Sequence, residues 1–456
     1  MAQNILGYEK IPKLVAKFAA PSIVAMLVSS LYNIVDQIFI GQGVGYLGNA
    51  ATNVAFPFTT ICLAMALLLA VGGAAGFSLK LGEGDKKSAA LFAGNAVSLT
   101  VIFGILYLVI IFAFLEPMLK AFGATETIMP YAKEYVSITG IGMPVLMLIN
   151  VTTGLARADG SPKYSMICTM VGAVINTALD YLFVMVYRWG MAGAAWATVI
   201  GQVVSMLMGV GYLFRFKSVP LKLVDFIPKF KFCGRIMALG LSNSLNQVSI
   251  TIVQVVLNNS LTHYGALSKY GADIPLAASG IVMKANSIMV SIFVGMSQGS
   301  QPIFGFNYGA GKYDRVRKAY LCASGATVAI STLGFIAFQT IPRQIISLFG
   351  TGNELYFEFA VKFMKTFLLM IAVNGVQTIS SNFFAATGKP IKGAFLSLTR
   401  QVLFLVPLLI VMPIFFGVEG IMYTAPISDT LAFALSMFMV FSEFRKMKQL
   451  EKEREK

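Results

Sequence analysis

The sequence Asn176-Thr-Ala-Leu-Asp180 places a carboxamide and a carboxylate inside a long apolar stretch, residues 164–187. Four residues separate Asn176 from Asp180, so on a helix their side chains share one face, about one turn apart. An ionisable group at bilayer depth is costly unless it faces a cavity, a partner or an ion. The pair therefore predicts a functional polar site within a membrane-spanning helix, facing a second carboxylate, Asp36.

The composition around this stretch is that of a polytopic membrane protein. Apolar residues make up 57% of the 456 residues and charged residues only 12%, and the mean hydropathy is +0.76. These values exclude an ordinary soluble domain. Twelve apolar stretches are each long enough to cross roughly 30 Å of hydrocarbon. They are residues 14–40, 50–79, 88–114, 131–155, 164–187, 192–215, 235–262, 276–303, 316–340, 359–385, 392–415 and 419–442. The predicted fold is all-α, with twelve transmembrane helices.

Basic residues fall mainly on one side of this predicted topology. With a cytoplasmic N-terminus, 26 of the 35 lysines and arginines lie in cytoplasmic segments, as the positive-inside rule requires. The net charge of +15 then reflects topology, and nucleic acid is not an expected partner. Residues 1–17 lack the features of a cleavable signal peptide. We expect a multi-pass protein of the cytoplasmic membrane with both termini in the cytoplasm.

Two patterns that could indicate an enzyme are better explained by chance. Gly295–Gly299 fits the G-x-S-x-G pattern, but it lies inside a predicted membrane helix, and the single histidine, His263, falls in an exterior loop. The Gly-Lys pairs at 311–312 and 388–389 lack the spacing of a phosphate-binding loop. The four cysteines form no CxxC pair and are interpreted as small hydrophobic residues. We expect no enzyme activity and no cofactor other than a coupling ion.

The two halves of the chain carry the same landmarks at a nearly constant separation. Leu81-Gly-Glu-Gly-Asp85 corresponds to Tyr308-Gly-Ala-Gly-Lys312, 227 residues later, and Gly160-Ser-Pro162 corresponds to Gly388-Lys-Pro390 at 228. Each landmark occupies the same loop of a six-helix unit. The sequence therefore predicts two six-helix bundles related by an internal pseudo-two-fold repeat, with a central cavity between them.

The predicted order is an N-terminal lobe, a linker, a C-terminal lobe and a charged cytoplasmic tail, at residues 1–215, 216–234, 235–442 and 443–456. The linker alternates basic and apolar residues. We expect it to lie along the cytoplasmic membrane surface, where lysines meet anionic lipid. A solvated loop is the alternative.

Several motifs resemble those of the multidrug and toxic compound extrusion (MATE) family, in particular its DinF-like bacterial and archaeal branch. They are Phe18-Ala-Ala-Pro21 followed by Asn33-Ile-Val-Asp36, the run Val174–Phe183, the run Gly190–Thr198 and the loop Gly154–Pro162. The resemblance covers essentially the whole chain. It implies a MATE fold and a secondary active antiporter that exports amphipathic, often cationic drugs or toxic organic compounds in exchange for H⁺ or Na⁺ by alternating access.

The resemblance also implies an ion site in the N-terminal lobe, formed by Asp36, Asn176, Asp180 and Thr198. The chemistry of these residues agrees with that role. Two carboxylates in a low-dielectric site repel, so one must bind a proton or both must share a cation. Asn and Thr add neutral oxygens of the kind that a hard cation prefers. A purely structural polar network is the alternative.

Four further residues are assigned to the substrate cavity. Tyr32 lies one turn before Asp36 on the same predicted face, and Met26, Met143 and Met147 offer adaptable apolar surface. Ordinary packing is the alternative for each. Pro21 lies in the same helix as Asp36, and we expect it to let that helix bend when the charge on the carboxylate changes.

Three charges lie in predicted helices of the C-terminal lobe: Lys284, Arg400 and Asp429. Because an unpaired buried charge is expensive, we expect Asp429 to pair with Arg400 or Lys284. The pairing is interpreted as structural, with a second coupling site as the alternative.

The expected partners are small organic substrates, mainly cations, and membrane lipids, and the chain is expected to act as a monomer. The alternative function is that of a flippase for a lipid-linked or amphipathic metabolite. A lateral opening to lipid and a strongly basic cavity would favour it. A channel would instead need a continuous polar pathway open at both ends.

Overall fold

A computed structural model describes residues 5–349 and 353–455, and nearly all of these residues are helical, so the all-α prediction is confirmed. The α-helices are α1 (Ile11–Gly43), α2 (Tyr46–Gly82), α3 (Lys86–Ala121), α4 (Met129–Ala158), α5 (Pro162–Asp180), α6 (Gly190–Leu213), α7 (Phe230–Ala266), α8 (Asp273–Gly309), α9 (Tyr313–Thr340), α10 (Pro342–Phe349), α11 (Glu354–Phe367), α12 (Ile371–Ala386), α13 (Pro390–Leu398) and α14 (Val406–Glu455). π-Helical turns at Tyr181–Val186 and Thr399–Leu405 extend α5 and join α13 to α14.

These helices provide the twelve predicted spans. The first nine spans correspond to α1 through α9. The tenth is formed by α11 and α12, which meet at a bend of 49°. The last two share a helical run of 64 residues, Pro390–Glu453. At about 1.5 Å per residue, such a run is far longer than the hydrocarbon is thick. It is interrupted at Gly417, whose φ of 61° and ψ of −149° end one span and begin the next.

The first parts of α1 and α7 each pack against the opposite lobe. Leu14 and Phe18 of α1 belong to an apolar cluster with α8, α9, α12 and α14. In the equivalent way, Ile236 and Leu239 of α7 belong to a cluster with α2, α3 and α4. The two lobes are therefore interlocked by an exchange of helix ends that follows the internal repeat.

Symmetry-related glycines bring α2 and α8 into backbone contact. A Cβ added at Gly82 would lie 2.0 Å from the carbonyl oxygen of Phe306, and one added at Gly309 would lie 2.1 Å from that of Leu79. The members of each equivalent pair are 227 residues apart, so the contact obeys the predicted repeat. Gly240 of α7 is equally close to α2, because its Cβ would lie 1.7 Å from the carbonyl oxygen of Leu68. Only a residue without a Cβ permits such an approach.

These contacts close the molecule at the end where α1 begins and α14 ends. Gly295 of α8 packs there against Ile23 of α1, and Gln301 donates to the carbonyl oxygen of Val71 at 2.9 Å. Farther along the same face of α8, Gly280 and Lys284 are exposed. The lobes therefore separate toward the opposite end, and a cleft opens between them.

The linker is tied to the N-terminal lobe by its backbone. The buried Asp159 carboxylate accepts hydrogen bonds from the amides of Lys217 at 2.7 Å and Ser218 at 2.9 Å. The side chain of Asn95 accepts from the amide of Lys229 at 2.6 Å and donates to the carbonyl of Asp225 at 3.0 Å. A freely solvated loop does not fit this anchoring, and the location of the linker at a membrane surface remains a prediction.

Because α2 and α7 approach closely, the effect of a glycine-to-alanine substitution on stability should depend sharply on its position along α7. We expect Gly240→Ala to destabilise the closed end by about 1–3 kcal/mol, because the new methyl group forces the backbones apart. Gly234→Ala is the matched control, since no atom lies within 4 Å of a Cβ at that position of the same helix. Thermal denaturation of the purified protein measures the difference. Equal melting temperatures for the two variants would contradict the packing described here.

Candidate functional site

Asp36 and Asp180 lie side by side within the N-terminal lobe. Asp36 belongs to α1 and is 7% exposed, and Asp180 ends α5 and is fully buried. Their carboxyl groups are close enough to interact electrostatically. A hydrogen bond between them would need a proton on one carboxyl group, because two ionised carboxylates are acceptors only. The structure therefore brings together the two carboxylates that the sequence analysis paired.

Several oxygens of this group lack a donor from the described protein. They are Oδ1 of Asp36, both carboxylate oxygens of Asp180 and Oδ1 of Asn176, and all are buried. Buried acceptors without donors are rare and costly. A proton or a cation shared among these oxygens would satisfy them.

Asn176 and Thr198 complete the predicted group of four. The Nδ2 of Asn176 donates to Oγ1 of Thr198 at 3.3 Å, which links α5 to α6. Asn176 is one helical turn before Asp180, so its Oδ1 and the carboxylate belong to one face of α5. The π-helical turn Tyr181–Val186 begins directly after Asp180, and such turns are frequent at functional sites.

Two tyrosines interact electrostatically with both carboxylates. Tyr32 of α1 is a predicted cavity residue, whereas Tyr135 of α4 has no predicted role. Tyrosine is common in membrane helices, so a single sequence offers no signal that distinguishes Tyr135. Its position beside the pair adds a phenol that can donate a hydrogen bond to a charged carboxylate.

A cavity of about 100 Å³, with both polar and apolar lining residues, adjoins this group. Its wall includes Met26, Tyr32, Asn150, Asn176, Thr198 and Gln202, from helices α1, α4, α5 and α6. Asn176 and Thr198 thus belong both to the carboxylate group and to the cavity wall. A molecule or ion in the cavity would contact Asn176 and Thr198, two members of the predicted ion site.

Two of the predicted cavity residues lie elsewhere. Met143 and Met147 are buried in the apolar core of the N-terminal lobe, so they do not line the cavity in this conformation. Both belong to α4, and the apolar cluster that contains them includes residues of α2 and α3. Pro21 lies within α1, which is helical from end to end.

Arg157 and Gln298 form the end of the cavity near the closed face. Arg157 donates to Oγ of Ser165 and to Oε1 of Gln298, each at 3.0 Å. Gln298 belongs to α8, so this bond connects the lobes. The sequence places Arg157 in a loop motif and gives no signal for its contact with the other lobe.

In the C-terminal lobe, Asp429 pairs with Arg400, whose Nε lies 2.6 Å from its carboxylate. Asn374 donates to the other oxygen of Asp429 at 3.1 Å. Arg400 lies in the second π-helical turn, Thr399–Leu405. Among the described residues Lys284 takes part in no ion pair. The carboxylate of this lobe is therefore neutralised by the protein itself, unlike the pair in the N-terminal lobe.

The profile of one protein family, MatE, matches residues 21–182 and 244–411. A curated relative, "Multidrug export protein MepA" of Staphylococcus aureus (strain MSSA476), is 24% identical over 446 residues, which cover 96% of each chain. A solved outward-facing conformation of a multidrug resistance MATE family transporter has a TM-score of 0.92 at 22% identity, covering 98% of this chain and 99% of the other. A transporter of the MOP superfamily from Pyrococcus furiosus, for which reverse polarity of the binding pocket is described as suggesting a different function, has a TM-score of 0.91 at 22% identity, covering 97% and 98%.

The unsatisfied oxygens predict that an ion stabilises the folded protein. We expect the melting temperature of the wild type to rise when Na⁺ is added at alkaline pH or when the pH is lowered, since a ligand at a hundred times its Kd stabilises by about 2.7 kcal/mol. Asp180→Asn removes one charge and supplies an N–H donor for Asp36, so it should lose most of this response. Asp85→Asn, in a loop outside the spans, should retain it. An unchanged response in Asp180→Asn would show that the ion binds elsewhere.

Proposed function

The chain belongs to the MatE family, and from that premise we propose that it is a secondary active antiporter that exports amphipathic organic compounds, many of them cations, in exchange for H⁺ or Na⁺. Members of this family are transporters and not enzymes. Export of drugs is the named activity of the relative MepA, and it supports the same direction of transport here.

The observation that carries the proposal is the buried pair of Asp36 and Asp180. The two carboxylates have no cationic side chain as a partner among the described residues, and their oxygens lack donors. A structural role would be better served by an ion pair such as that of Arg400 with Asp429. Exchange of a proton or Na⁺ explains why the pair lacks a permanent counter-charge.

Coupling follows if the ion and the substrate stabilise different states of the N-terminal lobe. Asn176 and Thr198 are hydrogen-bonded to each other and line the cavity, and both belong to the proposed ion site. An ion that draws these side chains toward Asp180 changes the cavity wall, so occupancy of one site alters affinity at the other. Pro21, which leaves one helical hydrogen bond of α1 unmade, gives that helix a place to bend.

The lobes supply the alternating access. In this conformation they are closed at the end that holds the start of α1 and open at the other. With the basic residues in the cytoplasm, the open cleft faces outward, which is the state in which an exporter releases its substrate. We place the protein in the cytoplasmic membrane with both termini in the cytoplasm, acting as a monomer.

The driving force depends on the charges that move. If one monovalent cation enters as one monovalent cation leaves, voltage contributes nothing, and a tenfold ion gradient supplies about 1.4 kcal/mol. A neutral substrate adds about 2.3 kcal/mol for each 100 mV of membrane potential. The pair of carboxylates can bind the incoming cation whether the substrate is charged or neutral.

Transport in proteoliposomes tests the proposal. We expect an imposed pH or Na⁺ gradient to drive uptake of the fluorescent cation ethidium by the wild type. The effective gradient then identifies the ion. Asp36→Asn and Asp180→Asn should each reduce gradient-driven uptake by roughly tenfold or more, since each removes a negative charge that the ion needs. Asp85→Asn is the matched control, because it removes a carboxylate from a loop outside the membrane. Gradient-driven uptake at wild-type rates in both site variants would contradict the proposal.

A further inference from the structure

Lys284 is a charged residue within the membrane that has no partner in the described protein. It follows the start of the predicted span 276–303 by eight residues, which is about 12 Å along the helix and well inside a hydrocarbon layer of roughly 30 Å. Its side chain is exposed. Ionisable residues at this depth commonly mark substrate or ion pathways, because burial without a partner is expensive.

The helix geometry directs Lys284 into the cleft between the lobes. Gly295 follows it by eleven residues, close to three full turns, so the two positions share one face of α8. Gly295 packs against Ile23 of α1, and Gln298, one turn farther, binds Arg157 of α4. The face that carries Lys284 is therefore the one that meets the N-terminal lobe where the lobes touch.

Neutral hydrogen-bonding groups line the adjacent wall. On α7, the face that begins at Gly240, which contacts α2, continues through Gln247, Thr251, Gln254 and Asn258 at helical spacing. Carboxamides and hydroxyls can donate to an anion or accept from a neutral group. This wall supplies no charge that opposes Lys284.

The carboxylates in the interior of the spans do not face the cleft freely. Asp36, Asp180 and Asp429 are 7%, 0% and 5% exposed, respectively, and Asp429 is held by Arg400. The accessible charge deep in the open cleft of the described structure is therefore positive. A cationic substrate would meet repulsion from Lys284, whereas an anionic group would neutralise it.

We propose that Lys284 binds the anionic group of an amphipathic substrate in the cleft, such as a carboxylate, sulfonate or phosphate, while the carboxamides of α7 donate additional hydrogen bonds. The inference rests on the proposed antiport function and extends its substrates to amphipathic anions. It also predicts the direction in which the membrane potential changes the rate of transport. An anion that leaves and a cation that enters both move positive charge inward, so a membrane potential that is negative inside drives the exchange.

The test compares two probes in proteoliposomes under the same ion gradient: the organic anion carboxyfluorescein and the organic cation ethidium. We expect the wild type to transport carboxyfluorescein. Transport should be faster when a membrane potential is imposed that is negative on the side equivalent to the cytoplasm. Lys284→Gln should raise the apparent KM for carboxyfluorescein about tenfold or more, as expected for loss of a charged hydrogen bond, without raising that for ethidium. Lys284→Arg should retain most of the affinity.

Lys365→Gln is the matched control. It removes the same charge from an exposed position of α11, and it should leave both KM values unchanged. Equal KM values for carboxyfluorescein in the wild type and Lys284→Gln would overturn the inference. Transport of ethidium without any transport of carboxyfluorescein would overturn it as well, while leaving the antiport proposal intact. Failure of the wild type to move either probe would overturn both proposals.

Two sources of the anion are distinguished by changing the lipid. If a lipid headgroup is the ligand, vesicles enriched in phosphatidylglycerol should inhibit carboxyfluorescein transport by the wild type more than by Lys284→Gln, and fluorescent phosphatidylglycerol should cross the bilayer in a Lys284-dependent manner. If a soluble anion is the ligand, neither effect should occur and the KM shift should persist. Either result supports an anion site at Lys284.

Discussion

Two carboxyl groups buried together in membrane-spanning helices cannot both be ionised without a cation, and the rest of this structure depends on that constraint. Asp36 and Asp180 meet at the contact of α1 with α5, while Asn176 ties α5 to α6 through Thr198. Any change in the charge of the pair is therefore transmitted to three helices that also form the wall of the cavity. A proton or cation bound by the pair would stabilise whichever state binds it.

The internal repeat allows the polar residues of the two lobes to be compared position by position. With an offset of 227 residues, Arg400 corresponds to Ala173 and Asp429 to Gln202, both of which line the cavity of the N-terminal lobe. The C-terminal lobe thus contains a permanent ion pair where the N-terminal lobe has a cavity. The repeat also explains the glycine contacts at the closed end, where Gly82 and Gly309 have equivalent neighbours. We propose that the N-terminal lobe exchanges an ion, whereas in the C-terminal lobe Arg400 neutralises Asp429.

Much of this architecture could be predicted from one sequence, because hydropathy, basic loops and repeated landmarks are properties of the chain itself. The pairing of Asp36 with Asp180 followed from the family resemblance and from the rarity of carboxylates in the spans. Tyr135, the Arg157–Gln298 bond and the burial of Met143 and Met147 depend on how helices rotate against each other. That rotation is set by packing at residues such as Gly240, and spacing along one helix does not specify it.

We propose that the Asp36–Asp180 pair exchanges a proton or a cation within the membrane. Infrared difference spectroscopy of the purified protein tests it most directly, because a protonated carboxyl group has a carbonyl stretching band that an ionised one lacks. We predict that Na⁺ or alkaline pH removes such a band from the wild type and that the change is absent in both Asp36→Asn and Asp180→Asn. A band that persists in the wild type under all conditions, or an unchanged difference in both variants, would contradict the account.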